Sequence, residues 1–159
     1  MERFHPLSDF ASVNAILSRT AFLGGLNDEQ LKTIYRSFET ATFQKGEFIA
    51  RCGEDPSHIF IIRSGKVILF IYDGDRSVRK RTFEVGDSFG EAALLSLVNT
   101  SASFLAEEKT ELLAFSRKAL NQLHREEPTI FSHIILNIAR DLARKLQYTD
   151  AILVRKEKS

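Results

Sequence analysis

Apolar positions change their spacing twice along this chain. Leu31, Ile34, Tyr35 and Phe38 recur three or four residues apart, the period of one helix face. Just upstream, Asn27-Asp28-Glu29-Gln30 pairs a capping residue with a glutamine three positions on, a helix-start pattern. Leu7-Ser8-Asp9 offers an earlier start, and Phe22-Leu23-Gly24-Gly25-Leu26 separates the two with glycine. Helices are therefore predicted over about 8–38.

From about 40 to 116 the pattern becomes strand-like. Thr40–Phe43, Glu47–Ala50, Ile59–Ile62, Val67–Ile71 and Val78–Phe83 are rich in β-branched and aromatic residues. Between them stand Lys45-Gly46, Gly53, Ser64-Gly65, Asp73-Gly74 and Val85-Gly86-Asp87. Many short strands so punctuated predict a barrel or sandwich, and Asp73-Gly74 is a favoured hairpin turn. Two more strands, near Ser101–Ala106 and Glu111–Phe115, flank the polar turn Glu107–Thr110. One segment interrupts them: Gly90-Glu91-Ala92-Ala93-Leu94-Leu95 places strong helix formers after a glycine. A short helix is predicted near 91–96, inserted into the roll.

The last zone is helical again. Arg117–Arg125 forms one piece, and Pro128 suits a first helical turn. Phe131, Ile134, Ile135, Ile138, Leu142 and Leu146 follow at three- and four-residue spacing, which predicts a long amphipathic helix. Arg140, Arg144 and Lys145 lie towards its C-terminal half, where positive charge suits the helix dipole. Arg155–Ser159 is expected to fray. Phe131, Ile135, Ile138 and Leu142 run in a heptad-like order, and such a seam predicts a homodimer through this helix. The expected architecture is mainly β with flanking helices in one domain, 1–159: N-terminal helices 8–38, β-roll 40–116, C-terminal helices 117–155.

Composition narrows the function classes. A chain of 159 residues is the length of one ordinary domain, and 43% apolar residues, 13 of them Phe, suffice for one real core. A net charge of +1 gives no electrostatic case for nucleic acid or an anionic membrane. No stretch nears the roughly 20 apolar residues of a membrane span. Met1–Ser12 lacks the apolar core of a secretory signal, so a cytoplasmic location is expected. The single cysteine, Cys52, rules out an internal disulfide and an all-cysteine metal site. It reads as an inert strand residue; a thiol activated by Arg51 is the lesser alternative. His5, His58, His124 and His133 show no metal-ligand spacing, and no cofactor is expected. Arg79-Lys80-Arg81 reads as a solvated strand edge. Glu107-Glu108 and Glu126-Glu127 read as surface turns. No nucleophile–base pair suggests itself by spacing, so the chain reads as a sensor and not as an enzyme.

The candidate chemistry sits at the inserted helix. Its first amides have no intrahelical acceptor and its dipole favours negative charge. Glu91 beside them would accept a hydrogen bond from a sugar hydroxyl, or merely complement the dipole. Ser101 and Ser103 stand nearby in sequence, as ligand contacts or as ordinary strand residues.

The run Gly86-Asp87-Ser88-Phe89-Gly90-Glu91-Ala92-Ala93-Leu94-Leu95 resembles the phosphate-binding cassette of the cyclic-nucleotide-binding domain family. Glycines 46, 53, 65 and 86 also fall at that family's turns. The resemblance extends from about Phe22 to Leu153 and implies an eight-stranded β-roll with a helical lid. It implies further that Glu91 binds the ribose 2′-hydroxyl, that Gly90, Ala92 and Ala93 after Phe89 face the cyclic phosphate, and that Ser101 lies beside it. Leu146-Gln147-Tyr148-Thr149-Asp150 resembles the lid segment that reaches the purine, which makes Thr149 a base contact. The family's cassette ends with an arginine that pairs the phosphate; Thr100 stands in its place, and no Lys or Arg lies between Arg81 and Lys109. The resemblance thus implies a regulatory module that binds cAMP or cGMP weakly and relays binding to the C-terminal helix. The alternative is a degenerate domain that serves as a dimerisation scaffold. The chain stops soon after the long helix, so direct DNA reading is not expected.

Overall fold

The computed structural model describes residues 3–158. The N-terminal region holds β1 (His5–Pro6), α1 (Asn14–Arg19), a 3-10 turn at Ala21–Leu23, α2 (Asp28–Ile34) and a second 3-10 turn at Tyr35–Ser37. At α2 the local code prevails. The Asn27 side chain accepts from the Gln30 amide at 2.8 Å, and the Gln30 side chain accepts from the Asn27 amide at 3.0 Å, a reciprocal cap. The start predicted at Ser8-Asp9 does not form a helix. There the Asp9 carboxylate accepts from the Ala11 amide and the Ser12 hydroxyl donates to the Asp9 carbonyl, so a turn satisfies the backbone instead, and α1 opens only at Asn14. β1 has no counterpart in the sequence reading; a two-residue strand containing proline carries no periodicity.

The roll follows: β2 (Phe38–Phe43), β3 (Phe48–Ala50), β4 (His58–Ser64), β5 (Val67–Asp73), β6 (Arg76–Phe83), β7 (Ser88–Phe89), α3 (Glu91–Ser96), β8 (Ser103–Ala106) and β9 (Thr110–Ser116). Two antiparallel sheets form it, ordered β1-β2-β9-β4-β7 and β3-β8-β5-β6. Among the described residues, eight strands lie between Phe38 and Ser116, the eight-stranded roll with a short internal helix. Leu97, with a φ of 58°, ends α3 in the left-handed conformation. Cys52 lies in the turn after β3, not in a strand, and is exposed.

β4 and β9 explain why no polar alternation marks them. They pair in the middle of one sheet and are buried on both faces. Ile59, Ile61, Leu113 and Phe115 join a core with α1, α2, Leu94 of α3, and the C-terminal helices. Their neighbours Phe60, Ile62, Leu112 and Ala114 join a second core inside the roll, with Phe43, Phe83, Phe89 and Phe104. Successive side chains of a strand point to opposite faces, so one continuous apolar run feeds two cores.

α4 (Arg117–Glu126) and α5 (Pro128–Lys158) complete the chain. The Ser116 hydroxyl caps α4 by accepting from the Ala119 amide at 3.0 Å. α5 has 31 residues, about 46 Å at 1.5 Å per residue. Ile130, Ile134 and Ile138 are buried against the chain's own body. Asn137 Nδ2 donates to the carbonyls of Phe22 and Gly24, at 3.1 and 2.8 Å, and His133 Nε2 lies 2.8 Å from the Gly24 carbonyl. The seam proposed from sequence is therefore partly internal: Ile138 is 1% exposed, and Phe131, Ile135 and Leu142 pack against the same core. The helix also continues through Lys158 instead of fraying at Arg155; Ser159 lies outside the described residues. Arg140, Arg144 and Lys145 consequently sit mid-helix, too far from its end to feel the terminal dipole. No described helix is long and apolar enough to cross a membrane.

Candidate ligand-binding site

A cavity of about 310 Å³ opens between the cassette, β3–β6 and α5. Its floor is aromatic. Phe89 stacks on Phe104 at 4.7 Å and on Phe60 at 5.2 Å, and Phe83 tilts against Phe89 at 5.5 Å. All four rings line the cavity, so an apolar, planar group finds a large complementary surface there.

One wall is the cassette. Phe89, Gly90, Glu91, Ala92 and Ala93 all line it. Gly90 caps α3 with a φ of 92°, and a Cβ at that residue would stand 2.7 Å from the His58 carbonyl. The cassette can thus lie flat on β4 only with glycine there. Gly90→Ala is expected to destabilise the protein by roughly 2–3 kcal/mol, from left-handed strain plus the clash. A thermal melt should show a midpoint about 4–12 °C lower; an unchanged midpoint would overturn this reading.

Glu91 is 6% exposed, and its Oε1 accepts from the Ser88 hydroxyl at 2.8 Å. One further carboxylate oxygen remains to accept a ligand's hydroxyl. The amides of Glu91, Ala92 and Ala93 open the helix and have no acceptor within it. Thr100 and Ser101 also line the cavity. Thr100 is held on both sides of its peptide, donating to Glu54 O at 2.9 Å and accepting from Gly53 N at 2.7 Å. These bonds clip the turn after β3 onto the cassette's end.

Two residues expected at the site are elsewhere. Ser103 is 2% exposed and its hydroxyl accepts from the Cys52 amide at 2.9 Å, so it fastens that same turn and does not line the cavity. Thr149 is exposed and its hydroxyl donates to the Lys145 carbonyl. α5 meets the cavity about one turn earlier, through Leu142 and Lys145; beyond that it has left the roll.

Other residues reach the site without having been expected there. Arg81 lines the cavity with its guanidinium 4.4 Å from the Phe83 ring, a stacked cation. The signal existed: Arg81 and Phe83 are two apart in β6, hence on one face of the sheet. Arg79 of the same basic run instead pairs with Glu107 at 3.3 Å, as a solvated edge would. Lys145 comes from α5, three residues after Leu142 and on the same helix face. Glu54, Asp55 and His58 also line the cavity. Burial holds the His58 imidazole below its ordinary pKa. Its Nε2 is 3.9 Å from Glu39, a gap too wide for a short charge-assisted bond, and Phe4 stacks on the ring at 4.4 Å. Among the described residues no cluster of His, Cys, Asp or Glu has the arrangement of a metal site.

The family model described as "Cyclic nucleotide-binding domain" matches residues 40–127. The cGMP-dependent protein kinase of Eimeria tenella is 30% identical over 129 residues, which are 80% of this chain and 12% of the kinase. The crystal structure of the Thermus thermophilus catabolite activator protein superposes with a TM-score of 0.76 at 31% identity, over 84% of this chain and 62% of that one. A second fold match is the regulatory subunit of a cAMP-independent protein kinase A from Trypanosoma brucei, carrying three substitutions and bound to cAMP in its A site. It gives a TM-score of 0.74 at 21% identity, over 90% of this chain and 51% of that one. The chain therefore spans only a part of each of these proteins.

Proposed function

This chain belongs to the cyclic nucleotide-binding domain family, and we propose that its cavity is a sensor for a cyclic nucleotide, bound weakly and relayed through α5. The observation that carries this is Glu91, a buried carboxylate at the cassette wall with an oxygen left to accept a sugar hydroxyl. The phosphate would lie against the α3 amides and Ser101. The purine would lie over the Phe60, Phe83, Phe89 and Phe104 floor. Leu142 and Lys145 put α5 on the lining of the same cavity, so a ligand there would touch the helix that would carry its signal. The kinase from Eimeria, named for cGMP, and the Trypanosoma subunit bound to cAMP make these two nucleotides the first to test.

The test is calorimetric titration with cAMP and cGMP, paired with thermal shifts. Heat of binding with a dissociation constant in the micromolar range or weaker, and a raised midpoint, are expected. Silence with both nucleotides would favour the second reading, a dimerisation scaffold with a retired pocket. Thr100 is the observation behind that reading, because it puts no cation where the cassette ends.

Either reading includes self-association, along a face other than Phe131–Leu142. Leu136, Ala139, Ala143 and Leu146 are exposed on α5 and follow the three–four alternation of a coiled-coil seam; Leu153, also exposed, lies one heptad beyond Leu146, with Asp150 at the position between them. A second copy of α5 is the partner such a seam fits.

A further inference from the structure

Resting on the reading of the cavity as a cyclic-nucleotide site, we infer that Lys145 is the residue that selects for the ligand's negative charge, by exchanging Asp141 for the ligand. Three observations carry this. First, the cassette brings no cation to the cavity. Thr100 ends it, and the lining includes the acidic residues Glu54, Asp55 and Glu91. Second, the Lys and Arg residues that line the cavity among the described ones are Arg81 and Lys145. Arg81 has its guanidinium 4.4 Å from the Phe83 ring centroid, already engaged with an aromatic face. Lys145 ends a flexible stem with a point charge that three donors surround. Third, Lys145 Nζ is held 2.9 Å from Asp141 Oδ2, one turn back on the same helix, with both side chains partly exposed.

A surface pair of that kind contributes little to stability, so its opening is cheap. An anion in the cavity would compete with Asp141 for one ammonium group. Asp141 then acts against the ligand, and its removal should help binding. The exchange also acts on α5 itself, since both partners belong to that helix.

The experiment titrates cAMP and its uncharged counterpart adenosine into the wild type, Lys145→Met and Asp141→Asn. Lys145→Met should weaken cAMP about three- to tenfold, between a surface pair and a buried charged hydrogen bond, and leave adenosine unchanged. Asp141→Asn should strengthen cAMP about two- to fivefold on the same reasoning, again sparing adenosine. The salt dependence of cAMP binding should flatten in Lys145→Met. Arg81→Gln is the contrast. Loss of cAMP affinity in Arg81→Gln with Lys145→Met equal to wild type would overturn the inference and leave the cavity's function standing. Parallel losses of cAMP and adenosine in Lys145→Met would reduce Lys145 to a packing residue and overturn it too. A wild type that takes neither compound removes the functional reading and the inference with it.

Discussion

Replacing Thr100 with arginine is expected to tighten cyclic-nucleotide binding by about 10- to 100-fold. A hydrogen bond to a charged group contributes roughly 1.5–3 kcal/mol, and about 1.4 kcal/mol makes each decade of affinity. An arginine offers more than charge, since its fork can address two phosphate oxygens at once. Position 100 is suited to it. Thr100 lines the cavity and is 7% exposed, and its peptide is anchored to Gly53 and Glu54. A longer side chain there must therefore extend into the cavity and not rotate the backbone away. In the empty protein the guanidinium would be partly desolvated, with Glu91 in the same wall as its counter-charge. That contact competes with the ligand and draws the expected gain towards the lower half of the range. Calorimetry on both proteins with cAMP and cGMP is the measurement. Submicromolar cAMP binding by the wild type would mean that a cation outside the cassette already serves the phosphate. A folded variant with no gain would mean a cavity shaped for something else.

The second large effect separates the two faces of α5. Ile138→Glu should unfold the protein or destabilise it by more than about 4 kcal/mol, because it combines loss of a buried aliphatic side chain with a carboxylate left unpaired in the core. Against a usual total of about 5–15 kcal/mol, that is a large share. Leu146→Glu with Leu153→Glu should behave oppositely. Both leucines are more than half exposed, so monomer stability should move by no more than about 0.5 kcal/mol per site. Self-association should be lost, since each charge would fall on the seam of Leu136, Ala139, Ala143, Leu146 and Leu153. Light scattering with far-UV circular dichroism reads both. A wild-type monomer at tens of micromolar, roughly the regime of about −6 kcal/mol of association, would refute the dimer. A folded Ile138→Glu variant would refute the internal placement of that face.

The amino-acid sequence by itself determined whatever depends on a few neighbouring residues. The cap at Asn27 and Gln30, the entry of α5 at Pro128, and the short helix Glu91–Ser96 behind Gly90 were all legible, because each is decided by hydrogen bonds and steric preferences within one turn of chain. The roll was legible from its glycine punctuation, and the cassette wall from a contiguous run, Phe89 to Ala93. The tertiary structure decided everything that required two distant segments to meet. Whether Ile59 or Phe60 faces the helices depends on which core each side of β4 covers, and a strand buried on both faces carries no polar mark to say so. Ile138 belongs to the interior because α5 lies on Ala21–Leu23 and α4; the heptad-like order alone fits a partner chain equally well. Ser103 was drawn away by the Cys52 amide, a neighbour 51 positions distant. Lys145 reaches the cavity that Arg81 lines from β6, and Thr149 misses it, because the height at which α5 crosses the roll is fixed by packing around Ile130, Ile134 and Ile138. A shift of one helical turn, about 5.4 Å, would exchange the places of Lys145 and Thr149, and no local preference in the helix distinguishes the two settings.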